Sequence, residues 1–437
     1  MRLALIATLI GALPLNVYAV DLLQTYQDAL ANDAQYASAR ATLIAGREKI
    51  PQARAGLLPT VGLSGGYTRS NLESTVDFGT VNRNYFSNGY TLALSQPLFR
   101  WANWQQYEQS KLAVAASEAQ FVQAQLDLMV RVAQAYFDVL AAQDTLDSLQ
   151  AQKAAITEQL ASAKRNFEVG TSTITDTHEA QARYDLAVAQ EYAAKNDLQI
   201  KIAALQQIIG KPPETLATLQ PGIRLRPPEP AQTEKWVESA EKQNYGVVQQ
   251  QLALEIAQRE ISKSRSGHYP TVDLVASRNH YFQNGSTQTI GDNAGNVNSV
   301  GVQWNVPLFS GFAVNSKVRE SIALEDKARY DLENTRRTVA QAARQAYFGV
   351  DNGLAQVKAL EAAETSSQSA LESNKLGYQV GVRINIDVLN AQQQLYSTRR
   401  DLAKARYDTI MNGLRLKSAA GSLREDDLVQ VNALLKR

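Results

Sequence analysis

Apolar residues recur at alternating intervals of three and four along residues 101–210, and this period predicts long helices. In the first arm the pattern continues for four heptads, through Leu112, Ala115, Ala119, Val122, Leu126, Met129, Ala133, Tyr136 and Leu140. This spacing is the seam of a coiled coil. Neither proline nor glycine interrupts residues 102–169, so about 67 residues can form one helix of roughly 100 Å. A turn follows at 169–173, and a second helix is expected to begin with Thr175 or Asp176 near its N-terminus.

Four shorter segments alternate apolar and polar residues, which predicts β-strands. They are residues 60–69, 90–98, 271–281 and 300–308, and loops rich in Asn, Gly, Ser and Thr separate the members of each pair. About ten residues is a suitable length for a tilted strand that crosses a membrane. Aromatic residues cluster at or near the segment ends, as in interfacial belts: Tyr67, Tyr85, Phe86, Tyr90, Phe99, Trp101, Trp104, Tyr269, Tyr281, Phe282, Trp304 and Phe309. The alternative is two solvent-exposed hairpins on a soluble protein.

The same order of elements occurs twice, at a nearly constant offset. Pro59 is matched by Pro270, and the Ala-Tyr-Phe that begins at Ala135 is matched by the one at Ala346, both 211 positions later. The predicted fold class is therefore mixed α and β with an internal tandem repeat. We predict a signal peptide (1–19), a first repeat (20–209), a linker with six prolines (210–231), a second repeat (232–421) and a C-terminal tail (422–437).

The N-terminus and the charge balance indicate an exported protein that does not bind nucleic acid. Residues 1–19 contain Arg2, an apolar run and a small-residue cleavage site ending at Ala19, the pattern of a signal peptide. The alternative, a short membrane anchor, is disfavoured because the run is too short to span comfortably. Cleavage removes one of 44 basic residues and none of 43 acidic ones. The resulting net charge of zero gives no electrostatic footprint for nucleic acid.

Any membrane insertion has to use the strands. After residue 19 no apolar run approaches the roughly 18 residues of a transmembrane helix, so the chain is either soluble outside the inner membrane or inserted as a β-barrel. Four strands cannot close a barrel, because even small barrels use about eight. Two copies would give eight strands, and three would give twelve with a lumen. The sequence leaves this choice open, although a transport role favours three.

The residues that usually support catalysis are absent or scattered. There are no cysteines, which excludes disulfides and thiolate chemistry. His178, His268 and His280 are far apart and have no clustered carboxylates. No Gly-Lys-Ser/Thr loop follows a strand, so no nucleotide-driven engine is predicted. We therefore expect no enzyme activity, no cofactor and no metal site.

Several motifs, taken in order, resemble the TolC family of outer-membrane efflux and secretion channels, over essentially the whole mature chain. They are AGLLPTVGL (55–63), NFEVGTSTITD (166–176), GYQVGVRINIDVLNA (377–391) and ARYD (405–408). The resemblance implies a homotrimer with four strands per chain in a shared twelve-stranded barrel in outer-membrane lipid. A periplasmic α-helical barrel of coiled-coil hairpins would continue it and close at its far tip.

The resemblance also implies a function without catalysis. Family members act as passive exit ducts that dock onto a periplasmic adaptor protein and an inner-membrane transporter, and their tip opens to pass drugs or proteins. The alternative from another class is a non-conducting trimeric coiled-coil scaffold or adhesin. The duplicated strand pairs argue against it, because a stalk does not need them twice.

Four residues match family positions that hold the closed tip. Thr175 and Asp176 lie on the first hairpin, and Tyr378 and Arg383 lie on the second. By the resemblance, Arg383 forms a charge-assisted bond to Asp176, and Tyr378 donates its hydroxyl to the same carboxylate. The alternative is that Asp176 caps its helix, and both roles can hold together.

The aperture and the turns supply the remaining candidates. The family has two aspartates three residues apart, whereas this chain has Asp387 and Asn390. Positions i and i+3 share a helix face, so three copies would supply one ring of carboxylates and one of amides. Such a pore still favours cations but captures multivalent ions more weakly; the alternative for Asp387 is helix capping. Gly170 and Gly381 match the positions that receive the adaptor, the alternative being simple tight turns.

Overall fold

The computed structural model describes residues 19–77, 79–285 and 291–436. The predicted signal peptide therefore lies outside the described residues, apart from Ala19. In chain order the elements are α1 (Leu22–Asn32), α2 (Ala34–Arg47), α3 (Lys49–Ala55), β1 (Thr60–Val76), β2 (Gly79–Phe99), α4 (Trp101–Glu168), α5 (Ile174–Ile209), α6 (Thr233–Gln243), α7 (Tyr245–Arg265), β3 (Thr271–Gln283), β4 (Asn293–Asn305), α8 (Ala313–Gln379), α9 (Asn385–Ala419) and α10 (Glu425–Asn432). The mixed helical and sheet fold expected from the sequence is confirmed.

The chain forms two compact units, each described by itself below. The first contains the residues up to 38, residues 123–244 and the residues from 338 onward, and the second contains residues 39–122 and 245–337. Of the helices described, none combines the length and the apolar character needed to cross a membrane.

The second unit contains an antiparallel sheet in the order β1-β2-β3-β4. Its register pairs Leu63 with Leu92, Leu94 with Ala276, and Ala276 with Val300. Directly opposed residues in an antiparallel sheet point to the same side. The apolar members of the predicted alternation therefore share one face of the sheet.

The strands differ in length from the prediction. β1 continues to Val76 and β2 begins at Gly79, so most of the predicted loop at 70–89 is strand. Polar residues occur on both faces of this extension, such as Ser70 and Ser74 on one and Asn71 and Glu73 on the other, so the apolar period that identifies half-buried strands is missing there. In the second pair, β3 ends at Gln283, and β4 covers Asn293–Asn305 instead of 300–308. β4 ends before Pro307, which has no N–H to donate to a ladder.

The predicted long helices are present. α4 has 68 residues and α8 has 67, and each returns through a short turn into α5 or α9. In the first unit, the seam residues Leu126, Met129, Ala133, Tyr136 and Leu140 are all buried. These side chains form the core because α4 carries them on one face, as the heptad pattern requires.

The helical segments predicted at 22–55 and 233–265 are each interrupted. One break lies at Asp33 and the other at Asn244, 211 positions later, where the backbone is extended. The Asp33 carboxylate accepts a bond of 2.6 Å from the backbone N–H of Tyr36, and it accepts two bonds, of 3.0 and 3.1 Å, from Arg131. Burial raises the pKa of Asp33, but these hydrogen bonds outweigh it and the net shift is downward.

The proline-rich connector and the tail pack into the first unit. Val20 pairs with Leu216 and Leu219 pairs with Leu435 as isolated bridges. The Tyr136 hydroxyl donates to the carbonyl of Ala217 at 2.8 Å. The tail forms α10, in which Leu428 is buried. The connector is therefore held by the segment at Val20, by the tail at Leu435 and by Tyr136 of α4.

An ionic cluster joins the two arms of the first hairpin. Glu191 of α5 accepts hydrogen bonds from Lys153 of α4 and, at 2.7 Å, from Lys195. The bond from Lys153, followed by that from Lys195, lowers the pKa of Glu191 from 4.5 to about 2. Because the folded state favours the carboxylate, its contribution to stability is present above pH 4.5 and is lost as the pH falls towards 2.

We expect Glu191→Gln to lower the melting temperature at pH 7 and to have a much smaller effect near pH 2, where about half of the wild-type carboxyl groups are protonated. Melting followed by circular dichroism at a series of pH values measures this. The matched control is Glu238→Gln, because Glu238 pairs with Lys242 on an exposed helix surface, where ion pairs add little. A deficit for Glu191→Gln that stays constant between pH 7 and pH 2 would contradict the assignment.

Candidate functional site: the tip of the two helical hairpins

The two hairpin turns lie in the first unit and share one geometry. Gly170 follows α4 with φ +78°, and Gly381 follows α8 with φ +81°. Bonds from Thr171 N–H to the carbonyl of Asn166 (2.8 Å) and from Val382 N–H to that of Gly377 (2.9 Å) close the helix ends. A Cβ at either glycine would meet no atom within 4 Å. The positive φ therefore explains why glycine occupies both positions, in agreement with the alternative that these residues form tight turns. The docking of an adaptor at these turns stays a prediction.

Asp176 caps the helix on which it lies. Its carboxylate accepts from the Thr173 N–H at 3.0 Å and lies 2.9 Å from the Thr173 hydroxyl, which accepts from the Asp176 N–H at 3.3 Å. This is a capping box, one of the two roles left open for Asp176. The predicted bond from Arg383 to Asp176 is not made within the chain, because the carboxylate is turned back onto Thr173. Thr175 is exposed beside it.

Tyr378 joins the two hairpins through a different residue from the one predicted. Its hydroxyl accepts a hydrogen bond of 3.0 Å from the Asn166 side chain, near the end of α4. Its ring packs on the buried Leu371, Val388 and Leu395. The expected bond to Asp176 is therefore replaced, within one chain, by a bond between two neutral groups.

Asp387 is the counterpart of Asp176, 211 positions later, but it lacks a capping partner. The counterpart of Thr173 is Ile384, which has no hydroxyl and makes no side-chain cap bond. The Asp387 carboxylate instead lies 3.7 Å from a guanidinium nitrogen of Arg383, and both side chains are partly exposed. A capping box is thus absent at α9, and the carboxylate is left partly exposed beside a cation of the turn that precedes the helix.

Asn390 is exposed and is held by a residue that the sequence did not single out. Arg183 of α5 donates to the Asn390 side-chain oxygen at 3.0 Å and to the Gln393 side-chain oxygen at 2.6 Å. Positions 176, 180, 183 and 187 follow helical spacing, so Arg183 could have been placed on the face of α5 that carries Asp176. This fork ties α5 of the first hairpin to α9 of the second.

Asn385 is the most buried polar residue at the tip, with 1% of its surface exposed. Its side-chain oxygen accepts from Gln159 of α4, and its amide donates to the Asp176 carbonyl at 3.2 Å. A buried amide needs such partners. The only sequence signal for this role is a polar residue between two isoleucines, at the place where the first repeat has Ile174.

An apolar cluster lies beside these polar ties. It contains the buried residues Ile156, Leu160, Ala163, Ala180, Ala187 and Leu389, with Tyr184 and Ile386 packed against it. Small residues from α4 and α5 thus meet a leucine from α9. Between the hairpins, this core and hydrogen bonds to neutral acceptors hold the tip, each bond contributing roughly 0.5–1.5 kcal/mol. In the part of the chain that the structure describes, no group of three or more metal-ligating side chains occurs.

Comparison with known proteins agrees with the duplicated architecture. A family model described as "Outer membrane efflux protein" matches residues 25–211 and again residues 236–422. The chain is 33% identical over 434 residues to the outer membrane protein TolC of Vibrio cholerae, covering 99% of this chain and 97% of that protein. It is 34% identical over 426 residues to the alkaline protease secretion protein AprF of Pseudomonas aeruginosa, covering 96% of this chain and 88% of AprF.

Among solved structures, the outer membrane protein VceC of Vibrio cholerae matches with a TM-score of 0.78 at 20% identity, covering 92% of this chain and 96% of VceC. The shared fold and the similar sequences define an outer-membrane channel of the efflux and type I secretion class. The chain belongs to the outer membrane efflux protein family, the family that its motifs resemble. Its members are channels and not enzymes, and the second family match begins 211 positions after the first, as the internal repeat requires.

We expect Asn385→Ala to loosen the tip, because it leaves Gln159 and the Asp176 carbonyl without a partner, at a cost of about 1–3 kcal/mol. Hydrogen exchange measured by mass spectrometry should become faster in peptides covering 170–180 and 380–390. Asn374→Ala is the matched control, because Asn374 bonds only to the Ala370 carbonyl of its own helix. Unchanged exchange in the Asn385 variant would show that this amide does not hold the hairpins.

Proposed function

We propose that three copies of the chain close their sheets into one twelve-stranded barrel in the outer membrane. The observation that carries this proposal is the pair of sheet edges. Within the described residues, β1 and β4 each pair with a strand on one side only. Unpaired backbone groups at an edge cannot remain in lipid, so the edges must pair between copies. Two copies would give eight strands filled by side chains, whereas three leave the lumen that a channel of this family needs.

The different composition of the two faces of the sheet supports the proposal that the sheet lies in the membrane. Val61, Leu63, Val300, Val302 and Trp304 are more than half exposed in one chain, and the register places them on one face. The opposite face carries small and polar residues such as Ser277 and Ser299, whose hydroxyls are 2.8 Å apart. An apolar face towards lipid and a polar face towards water is the pattern of membrane barrels.

Aromatic side chains lie across neighbouring strands of this sheet. The rings of Tyr67 and Phe86 stack at 5.6 Å, and Phe86 lies 5.7 Å from Phe282. These three rings belong to β1, β2 and β3. We assign them to the interfacial belt that the sequence predicts, since aromatic residues form girdles at the edges of a barrel's apolar band.

The long helices would continue the barrel into the periplasm. Helices of 68 and 67 residues are each roughly 100 Å long, a useful reach towards the inner membrane. In this proposal three pairs of hairpins enclose a tunnel, and the turns at Gly170 and Gly381 receive a periplasmic adaptor bound to an inner-membrane transporter. Cargo passes without catalysis, and the transporter supplies the energy.

Electron microscopy and planar-bilayer conductance of the purified full chain test this assembly together. We expect a hollow trimer that conducts ions. A monomer, or a solid bundle without conductance, would contradict the proposal. The solid bundle would instead favour the alternative, a non-conducting scaffold or adhesin.

We also propose that Thr175, Asp176, Tyr378 and Arg383 form the gate links of the closed tip, with Arg383 reaching Asp176 of a neighbouring copy. Within one chain, Asp176 and Thr173 form a capping box, and Arg383 lies at the surface. A carboxylate has lone pairs left after capping, so it can accept a bond from the guanidinium of a second copy. Breaking such links would then be part of opening.

Asp176→Ala and Arg383→Ser should each raise the single-channel conductance of the closed channel, because each removes one partner of the link. Thr173→Ala is the matched control. It removes the cap, at about 1 kcal/mol, and keeps the carboxylate. Bilayer recordings of the three variants measure this. Equal conductance in all three and in wild type, or an equal rise in Thr173→Ala and Asp176→Ala, would count against the gate.

The proposed aperture ring of Asp387 and Asn390 has a positively charged side chain beside it, since Arg183 donates a hydrogen bond to Asn390. Asn390→Asp should tighten block by a trivalent cation, because three copies gain three carboxylates, and we expect about tenfold. Adding Arg183→Gln should tighten the block further, because the guanidinium offsets the new charge. Asp387→Ala should weaken it. A blocking constant that none of these changes alters would reject the ring.

A further inference from the structure

A small cavity lies in the first unit between the two hairpins. Two arginines line it, Arg183 from α5 and Arg400 from α9, together with Gln152, Gln190 and Gln393. The cavity volume is about 40 Å³, space for roughly three water molecules. The remaining lining side chains are apolar, and none of the residues around the cavity is acidic. Two guanidinium groups therefore face a partly enclosed space, and the other polar side chains that line it are amides.

Among the residues that the structure describes, neither guanidinium has an acidic partner within ion-pair distance. Arg183 donates to the Gln393 and Asn390 side-chain oxygens at 2.6 and 3.0 Å, and Arg400 donates to the Gln152 oxygen at 3.2 Å. All three acceptors are neutral. Asp401, which lies next in sequence and is exposed, attracts the Arg400 guanidinium without a direct ion pair between them.

The Arg400 guanidinium is also partly removed from water. Burial lowers the pKa of Arg400, and Asp401 only partly opposes the shift. The group stays charged near neutral pH, because arginine is effectively always protonated in proteins. It has five N–H donors, and its hydrogen bond to Gln152 accounts for one. A charged group with spare donors at a cavity wall favours an anionic acceptor.

We propose that this cavity binds one small tetrahedral oxyanion, of the phosphate or sulfate class, between Arg183 and Arg400. Guanidinium groups match such oxyanions with paired N–H donors, and the amides of Gln152 and Gln190 supply neutral donors at the same wall. Because Arg183 belongs to the first hairpin and Arg400 to the second, the bound anion bridges the hairpins. The proposal that the anion binds here depends only on the cavity and its arginines. Only the effect of the bound anion on channel opening depends on the proposed gate.

Calorimetric titration of the purified, assembled full chain with inorganic phosphate tests the site, at pH 7.5 and with ionic strength held constant by chloride. We expect saturable binding of one phosphate per chain. Arg400→Gln and Arg183→Gln should each weaken the affinity by about 10- to 100-fold, the worth of a hydrogen bond to a charged group. Arg400→Lys should weaken it less, since it keeps the charge and loses the fork.

The matched control is Arg399→Gln, the neighbouring arginine, which binds Glu364 at 3.0 Å and does not line the cavity. Its affinity should equal that of wild type. Circular dichroism and gel mobility of each variant confirm that the assembly is intact. Absence of saturable phosphate binding to wild type, or equal affinity in wild type and both glutamine variants, overturns the proposal.

Bilayer recordings in phosphate and in chloride separate the site from the gate. Phosphate should lower the open probability of wild type and not that of Arg400→Gln. If phosphate binds through these arginines and leaves conductance unchanged, the oxyanion site is upheld and its proposed effect on opening is rejected. If the gate variants conduct as predicted and phosphate does not bind, the oxyanion site alone is rejected.

Discussion

Helix backbones can approach closely only where small side chains separate them, and the hairpin tip depends on this constraint. Ala163, Ala180 and Ala187 are almost fully buried against Leu389 of α9. Their size sets the distance at which Arg183 reaches Asn390 and at which Asn385 reaches the opposite hairpin. A larger residue at any of the three would push α9 away and lengthen these bonds together. Packing therefore positions the polar contacts, and the contacts then fix the register between the hairpins.

The sequence predicts helices and strands well where a single period of apolar residues continues, and poorly where that period stops. Four heptads predict α4 because each turn repeats the same burial. The outer part of the β1–β2 hairpin escapes prediction because polar residues on both of its faces leave no apolar alternation to detect. The breaks at Asp33 and Asn244 are also missed. Asp33 interrupts a helical pattern because its carboxylate binds Tyr36 and Arg131, and Arg131 lies 98 residues further along the chain.

The candidate residues show the same limit at the level of side chains. A motif can place Asp176 and Tyr378 at the tip, but it cannot choose their hydrogen-bond partners, which depend on backbone positions within a few tenths of an ångström. Thr173 takes the Asp176 carboxylate because a capping box is local. In the second repeat, Ile384 stands where Thr173 does in the first, so Asp387 is released from that task. Of the two equivalent carboxylates, only Asp176 therefore caps its helix.

The contacts that the second hairpin, formed by α8 and α9, makes with the first hairpin at the tip use neutral partners on at least one side. Amides meet amides, a hydroxyl and a carbonyl, and the Arg183 guanidinium meets only side-chain amide oxygens. There is accordingly little Coulomb attraction for dissolved ions to screen. These direct contacts between the hairpins should hold equally well in fresh and in saline surroundings, an advantage in a compartment whose ion content follows that of the medium outside.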